Sequence, residues 1–302
     1  MRWSTGAVIG RSLTLRTSVR SRKCVLDGQR GEAMAKRNSP WGETTLKVGD
    51  CRHWRVGPLG FWVRRAELEW QVTEERYDDE GLAVATKRPA PPEDAVWTRW
   101  ASGEVDPPVR IRPMTPDRPV VVRPAQPFRV LKGGTARIYI RMPVWVRIEL
   151  AVENDPLPLI DIPTVRMSNT WFGSVFEGTL CYWTETSARR RYDNVEPRPH
   201  LVTTPMFIHN KVEAELPLEK LCLRTAGLGI YEGSGELWAS EVRATNTGPG
   251  APEQIEISSG PPEEAREAEL VFEPRQKPRG GMLARTFGFL GSLPGLDGGV
   301  VG

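Results

Sequence analysis

The sequence predicts an all-β protein, mostly antiparallel and β-sandwich-like, built as two β units. Three observations carry that expectation. Apolar and polar residues alternate with period two through most of the body, as half-buried antiparallel strands require. Glycine and proline are abundant, 29 and 27 of 302 residues, and they fall between the alternating runs, so the chain turns often. The one helical candidate is a single turn at 261–267, with Pro262 at its start and acids early.

The clearest alternation lies at 118–165. Ala136, Ile138, Ile140 and Met142 alternate with Arg137, Tyr139 and Arg141. Pro143 interrupts, at a bend or an edge. Val144, Val146, Ile148 and Leu150 then alternate with Trp145, Arg147 and Glu149. Strands at 120–123 and 128–131 precede this run, and Gly133-Gly134 reads as a hairpin turn, since glycine reaches positive φ cheaply.

Earlier in the chain, Trp54 and Val56, then Leu59, Phe61 and Val63, then Trp70 and Val72 mark strands around a turn at 57–60. Further strands are expected at 82–86, 96–100 and 109–112, with a proline-rich loop at 87–93. After 165 the pattern predicts a strand at 179–186, a long loop at 187–200, a hairpin from 205–210 and 212–216, and strands at 221–223, 228–231, 236–244, 254–257 and 270–272. A composition shift near 113–119 places a joint there. The expected divisions are 1–38, a disordered leader or an over-extended start; 39–115, an N-terminal β unit; 116–275, a C-terminal β-sandwich; and 276–302, a glycine-rich flexible tail in which 282–290 docks loosely.

Charge and cysteine usage narrow the function classes. Residues 1–33 hold seven bases against two acids, +5, and the rest of the chain holds 34 bases against 36 acids, −2. A near-neutral body lacks the phosphate-binding footprint of a nucleic-acid protein. Cysteines stand at 24, 51, 181 and 222 with no C-x-x-C pair, which argues against a secreted disulfide framework and for a reducing, cytoplasmic compartment. No apolar run approaches the ~20 residues of a membrane span.

The chemistry-bearing side chains concentrate at 168–211, which holds two of the three histidines and the run Arg189-Arg190-Arg191. Trp171-Phe172-Gly173 reads as a turn, so its aromatics are exposed or plug one end of the sandwich. The arginines, in the long loop with Arg198, suit carboxylate or phosphate, although Glu185, Asp193 and Glu196 offset them. The expected function is a non-enzymatic binding or scaffold module with an unknown protein partner and no cofactor. Its face is formed by the 168–176 and 187–200 loops, with Trp171, Phe172, Arg189, Arg190, Arg191 and His200 as binding residues.

Two alternatives stay open. A metal-dependent or hydrolase-like enzyme would use Cys51/His53, which share a strand face, or His200/His209 with Asp193 as orienter. Zinc needs four converging ligands, and the sequence offers one close pair, so no metal is assigned. There is also no Gly-x-Ser-x-Gly and no phosphate loop before a helix. A carbohydrate-binding β-sandwich would stack sugars on Trp171, Trp183, Trp97 or Trp100; core packing explains most of these tryptophans as well.

Trp54-Arg55-Val56-Gly57-Pro58-Leu59, Glu69-Trp70, Asn169-Thr170-Trp171-Phe172-Gly173, Gly178-Thr179-Leu180-Cys181-Tyr182 and Leu221-Cys222-Leu223 resemble an uncharacterised prokaryotic family, a domain of unknown function, over about 40–275. The resemblance implies no activity, ligand or site residue. It implies a membrane protein as partner, through members whose genes lie near those of mechanosensitive channels.

The leader is rich in Arg, Ser and Thr, like an organellar transit peptide, yet Met34-Ala35-Lys36-Arg37 reads as an ordinary start just before the globular pattern begins. The second reading is favoured. N-terminal mass spectrometry of the native protein is expected to find a chain beginning at Met34; one beginning near residue 10 would refute it.

Overall fold

The computed structural model describes residues 39–78, 90–103, 107–152, 155–176, 178–192, 197–248, 253–277, 282–284 and 286–288. The expected strand at 82–86 lies outside them. No α-helix occurs among the described residues, and the turn expected at 261–267 is a short 3-10 helix, Glu263–Ala265. The fold is all-β and mostly antiparallel, as the alternation requires.

The first strands are β1 (Gly42–Thr44), β2 (Cys51–Val56), β3 (Leu59–Arg65), β4 (Glu69–Arg76), β5 (Thr98–Ala101) and β6 (Val109–Met114). Next come β7 (Val120–Pro124), β8 (Phe128–Val130), β9 (Thr135–Pro143), β10 (Trp145–Leu150) and β11 (Leu157–Pro163). The middle of the chain forms β12 (Ser168–Phe172), β13 (Thr179–Arg189), β14 (Leu201–Asn210), β15 (Leu216–Leu218) and β16 (Lys220–Leu223). The remainder is β17 (Ile230–Gly233), β18 (Glu236–Ala239), β19 (Val242–Asn246), β20 (Glu253–Ile257), β21 (Glu269–Phe272), β22 (Met282–Ala284) and β23 (Phe287–Gly288).

Two cores result. β2 to β5 form a meander that packs against a sheet of order β1-β6-β10-β11. Trp54, Phe61 and Trp70 from the first meet Ile111, Val146, Ile148 and Ile162 from the second. The larger core lies on a mixed sheet centred on β9 and β14, which pair antiparallel from Leu201↔Pro143 to His209↔Thr135. Its parallel pairs are β7 with β13 and β14 with β18 and β19.

The even-numbered residues of 136–150 all point inward, but into different cores. Ala136, Ile138, Ile140, Met142 and Val144 join the larger one. Val146, Ile148 and Leu150 join the smaller. Pro143 is the break: it ends β9, and without an N–H it cannot continue the ladder.

Several connections differ from the local pattern. Gly133 does sit in a turn with φ +64°, but it closes no hairpin, because β8 pairs with β15 while β9 pairs with β13 and β14. For the same reason 205–210 and 212–216 are not a hairpin. The expected strand at 236–244 is two, β18 and β19, broken at Ser240 and Glu241. β13 runs on to Arg189, so the loop after it is shorter than 187–200. Near the C-terminus, β22 pairs with β20 and β23 with β16, and Phe287 is buried in the larger core, where the sequence suggests only loose docking.

The turn of the β2–β3 hairpin locks the two parts together. Gly57 there has φ +61°, and a Cβ on it would overlap the His200 imidazole. At the same end of the meander, where Arg76 lies opposite Leu59, Arg76 Nη1 donates to the Pro163 and Thr164 carbonyls at 2.6 and 2.8 Å. Gly57→Ala must strain the backbone and displace His200. It is expected to lower unfolding free energy by more than the ~1–2 kcal/mol of a left-handed non-glycine residue alone, measured by urea denaturation; His200→Ala in the same background should recover part of the loss.

Candidate functional site

The β12–β13 hairpin carries the exposed apolar side chains. Trp171 stands opposite Leu180 and Phe172 opposite Thr179 in its antiparallel register. Trp171 and Phe172 are thus the last residues of a strand rather than a turn; the turn begins at Gly173, with φ +114°. Alternation sends the two aromatics to opposite faces. Phe172 is 7% exposed and packs on Val121, Cys181 and Cys222. Trp171 stays 53% exposed, with its Nε1–H donated to the Ser174 carbonyl at 2.8 Å. Its ring lies over Gly178, where a Cβ would overlap the indole. Around it, Val175 is 67%, Phe176 97% and Leu180 44% exposed. Four exposed apolar side chains therefore share one hairpin tip.

Beneath Phe172 lie two thiols. Cys181 and Cys222 are buried with Sγ atoms 3.7 Å apart. They come from strands flanking β7: Cys222 lies opposite Val121, and Cys181 directly precedes Tyr182, which lies opposite Val120. The hydrogen bond from Cys222, helped by the charge of Arg224, holds the Cys181 thiol below its ordinary range despite burial. The same bond, with burial, pushes Cys222 well above it.

The remaining predicted residues lie elsewhere. Arg189 ends β13, nine residues beyond Leu180, which in extended chain is roughly 30 Å. Arg190 sits 5.3 Å from the Phe128 ring, and the three arginines are exposed. Just after them Tyr192 turns inward, donating to Glu236 at 2.7 Å and packing 4.6 Å from Trp238. The hairpin tip and the arginine run are thus opposite ends of one strand, not one face. His200 is 1% exposed and serves as packing against Gly57.

Of the catalytic alternatives, His200 and His209 are also separated. His200 directly precedes β14 and His209 lies near its far end, again about 30 Å of extended chain. His53 is buried and rests 4.4 Å from the Trp62 ring. Asp193 and Glu196 lie outside the described residues. Among the described residues no group of three or more His, Cys, Asp or Glu side chains is placed to hold a metal ion. Of the other tryptophans, Trp97 lies under the Arg64 guanidinium at 4.2 Å, and Trp100 packs partly against the smaller core.

The comparisons with known proteins agree with this picture of an uncharacterised domain. A family described as "Protein of unknown function (DUF432)" matches residues 40–291. The chain belongs to that family. No curated protein and no solved structure matches it. The matched span includes the motifs from Trp54 to Leu223, and the family's description assigns no activity. Among the described residues no helix is long and apolar enough to cross a membrane.

Sequence reasoning held Val175 and Phe176 only within the 168–176 loop, without naming them, and missed Leu180. For Val175 and Phe176 the signal was present: they stand in a segment bounded by Gly173 and Gly178, where a turn leaves them no core to enter.

His200 gives a testable pH dependence. Burial, reinforced by Arg198 and Arg141, pulls its pKa down from 6.5 to about 4. The unfolded chain therefore takes up this proton first as pH falls. Stability from keeping His200 neutral is complete above pH 6.5 and is lost between there and pH 4, by up to about 3 kcal/mol. Urea midpoints measured across this window should fall with pH in the native sequence and fall less in His200→Gln.

Proposed function

We propose that the protein is a non-enzymatic binding module and that the tip of the β12–β13 hairpin is its docking element for a partner protein. The observation that carries this reading is the exposure of Trp171, Val175, Phe176 and Leu180 on one hairpin. Of the eleven large hydrophobic residues exposed among those described, these four fall within ten residues of sequence; the other seven are dispersed along the chain. Scattered exposed apolar residues need no explanation, but a group of them marks an interaction site.

The tip is also held in place. The bond from Trp171 to Ser174 fixes the indole, Phe172 anchors the hairpin in the core, and β13 ties it to the main sheet. An anchored aromatic loses little conformational freedom on binding, which is what a central interface residue requires. The partner fits a cytoplasmic setting and includes the exposed portion of a membrane protein as a candidate. A sugar-stacking platform would need Trp171 alone; the aliphatic and aromatic neighbours favour a protein surface.

The test places a photo-cross-linking amino acid at Phe176, and separately at Leu68, which is 69% exposed between β3 and β4. Position 176 should give one discrete protein adduct in the native host, and position 68 none. In binding assays with that adduct's purified protein, Trp171→Ala should weaken affinity by about 30-fold, equivalent to about 2 kcal/mol for a central anchor. Equal adducts at both positions, or none at 176, would remove the hairpin from the reading.

A further inference from the structure

The outer face of the β1-β6-β10-β11 sheet carries an arrangement that pairing rules disfavour. Arg112 of β6 lies directly opposite Arg147 of β10 in the antiparallel register. Like charges in that position repel. Carboxylates meet each arginine from one side. Asp161 takes Arg147 in a bidentate pair, with both contacts at 2.8 Å. Glu149, buried in the sheet, lies 3.3 Å from Arg110 and 3.5 Å from Arg112.

A third arginine joins them from far along the chain. β21 brings Phe272 over the sheet, its ring 5.2 Å from the Arg112 guanidinium and 5.8 Å from that of Arg147. Three residues on, Arg275 folds back and donates Nε and Nη2 to the Thr115 carbonyl at 3.0 and 2.8 Å. Burial pulls Arg275 below its ordinary pKa; Arg147 pulls the same way and Asp161 opposes it. Together Arg112, Arg147, Phe272, Glu273, Pro274 and Arg275 line a cavity of ≈ 530 Å³.

Each of the three arginines keeps one terminal nitrogen uncommitted to protein atoms. Arg112 commits Nε to the Val271 carbonyl and Nη1 to Glu149. Arg147 commits Nε and Nη2 to Asp161, and Arg275 commits Nε and Nη2 to Thr115. Arg112 Nη2, Arg147 Nη1 and Arg275 Nη1 have no partner among the described residues. Three guanidinium nitrogens on three separate side chains match a group with three terminal oxygens better than a planar carboxylate, which offers two.

We propose that this pocket binds a phosphoryl group, with Arg112, Arg147 and Arg275 each giving one N–H to it. A dianion between Arg112 and Arg147 converts their repulsion into a shared attraction. The cavity lies in the range of small-molecule sites and exceeds what a bare phosphate fills, leaving room for a phosphorylated metabolite. Glu273, exposed at the cavity and without a basic partner among the described residues, opposes the incoming charge.

Isothermal titration calorimetry of the full chain with inorganic phosphate, and separately with glycerol 3-phosphate, tests this. Saturable binding that weakens with added salt is expected. Arg275→Gln, which leaves the ion pairs of the sheet intact, should reduce affinity about 10-fold or more. Glu273→Gln should raise it about three-fold. A phosphoester that binds more tightly than phosphate identifies a group carried on a larger molecule; equal affinities identify the free ion. No saturable heat with either anion overturns the proposal, as does Glu273→Gln leaving affinity unchanged or lowering it.

Discussion

At Val144, between β9 and β10, the chain changes cores, and the rest of the molecule is arranged so that it can. Pro143 ends the ladder of β9, and the next peptide groups would be left unpaired and buried. They are not. Val144 N–H donates to the His200 carbonyl at 2.9 Å, and its carbonyl accepts from the Thr164 N–H at 3.1 Å and the Thr164 hydroxyl at 2.6 Å. A buried peptide group without a partner costs about 1–3 kcal/mol, so these three bonds constrain more than their number suggests. His200 must sit where β14 begins and Thr164 where β11 ends. Gly57 must lack a side chain so that the meander can close over His200. Arg76, opposite Leu59 in β3, then ties β4 to the same junction.

Much of this fold is legible as alternation, and the limits of alternation explain the rest. Period two says which residues share a face; it does not say which strand lies alongside. The inward set Ala136 to Leu150 reads correctly from the sequence, yet its division between two cores has no local signature, because both halves are equally apolar. Gly133-Gly134 looks like a hairpin turn because its local chemistry is that of one. Whether the flanking strands pair is decided by β14 and β15, which arrive some seventy to eighty residues later. The strand at 236–244 was expected to be single because Ser240 and Glu241 interrupt the ladder without interrupting the apolar pattern.

The same distinction applies to the site. Trp171 is legible as an exposed aromatic, since it adjoins a glycine turn with no room behind it. His200 is not legible as packing, because its partner is a glycine more than a hundred residues earlier, and a missing side chain leaves no trace in the sequence around the histidine. Arg189, Arg190 and Arg191 draw notice as a run, while Arg112, Arg147 and Arg275 do not, although the fold gathers the second set and leaves the first on a solvated edge. Consecutive charges on a strand point alternately to opposite sides; charges that converge come from different strands.

Phe172 links the outside of the hairpin to the inside. Its ring closes over Cys181 and Cys222, so a reagent meets those thiols only when the hairpin lifts from the sheet. The pair is in that sense a chemical clock built under the docking tip. The rate at which a small thiol reagent labels it reads how often the tip leaves its seat, and anything that grips Trp171 and Phe176 from outside would slow that clock without touching either sulfur.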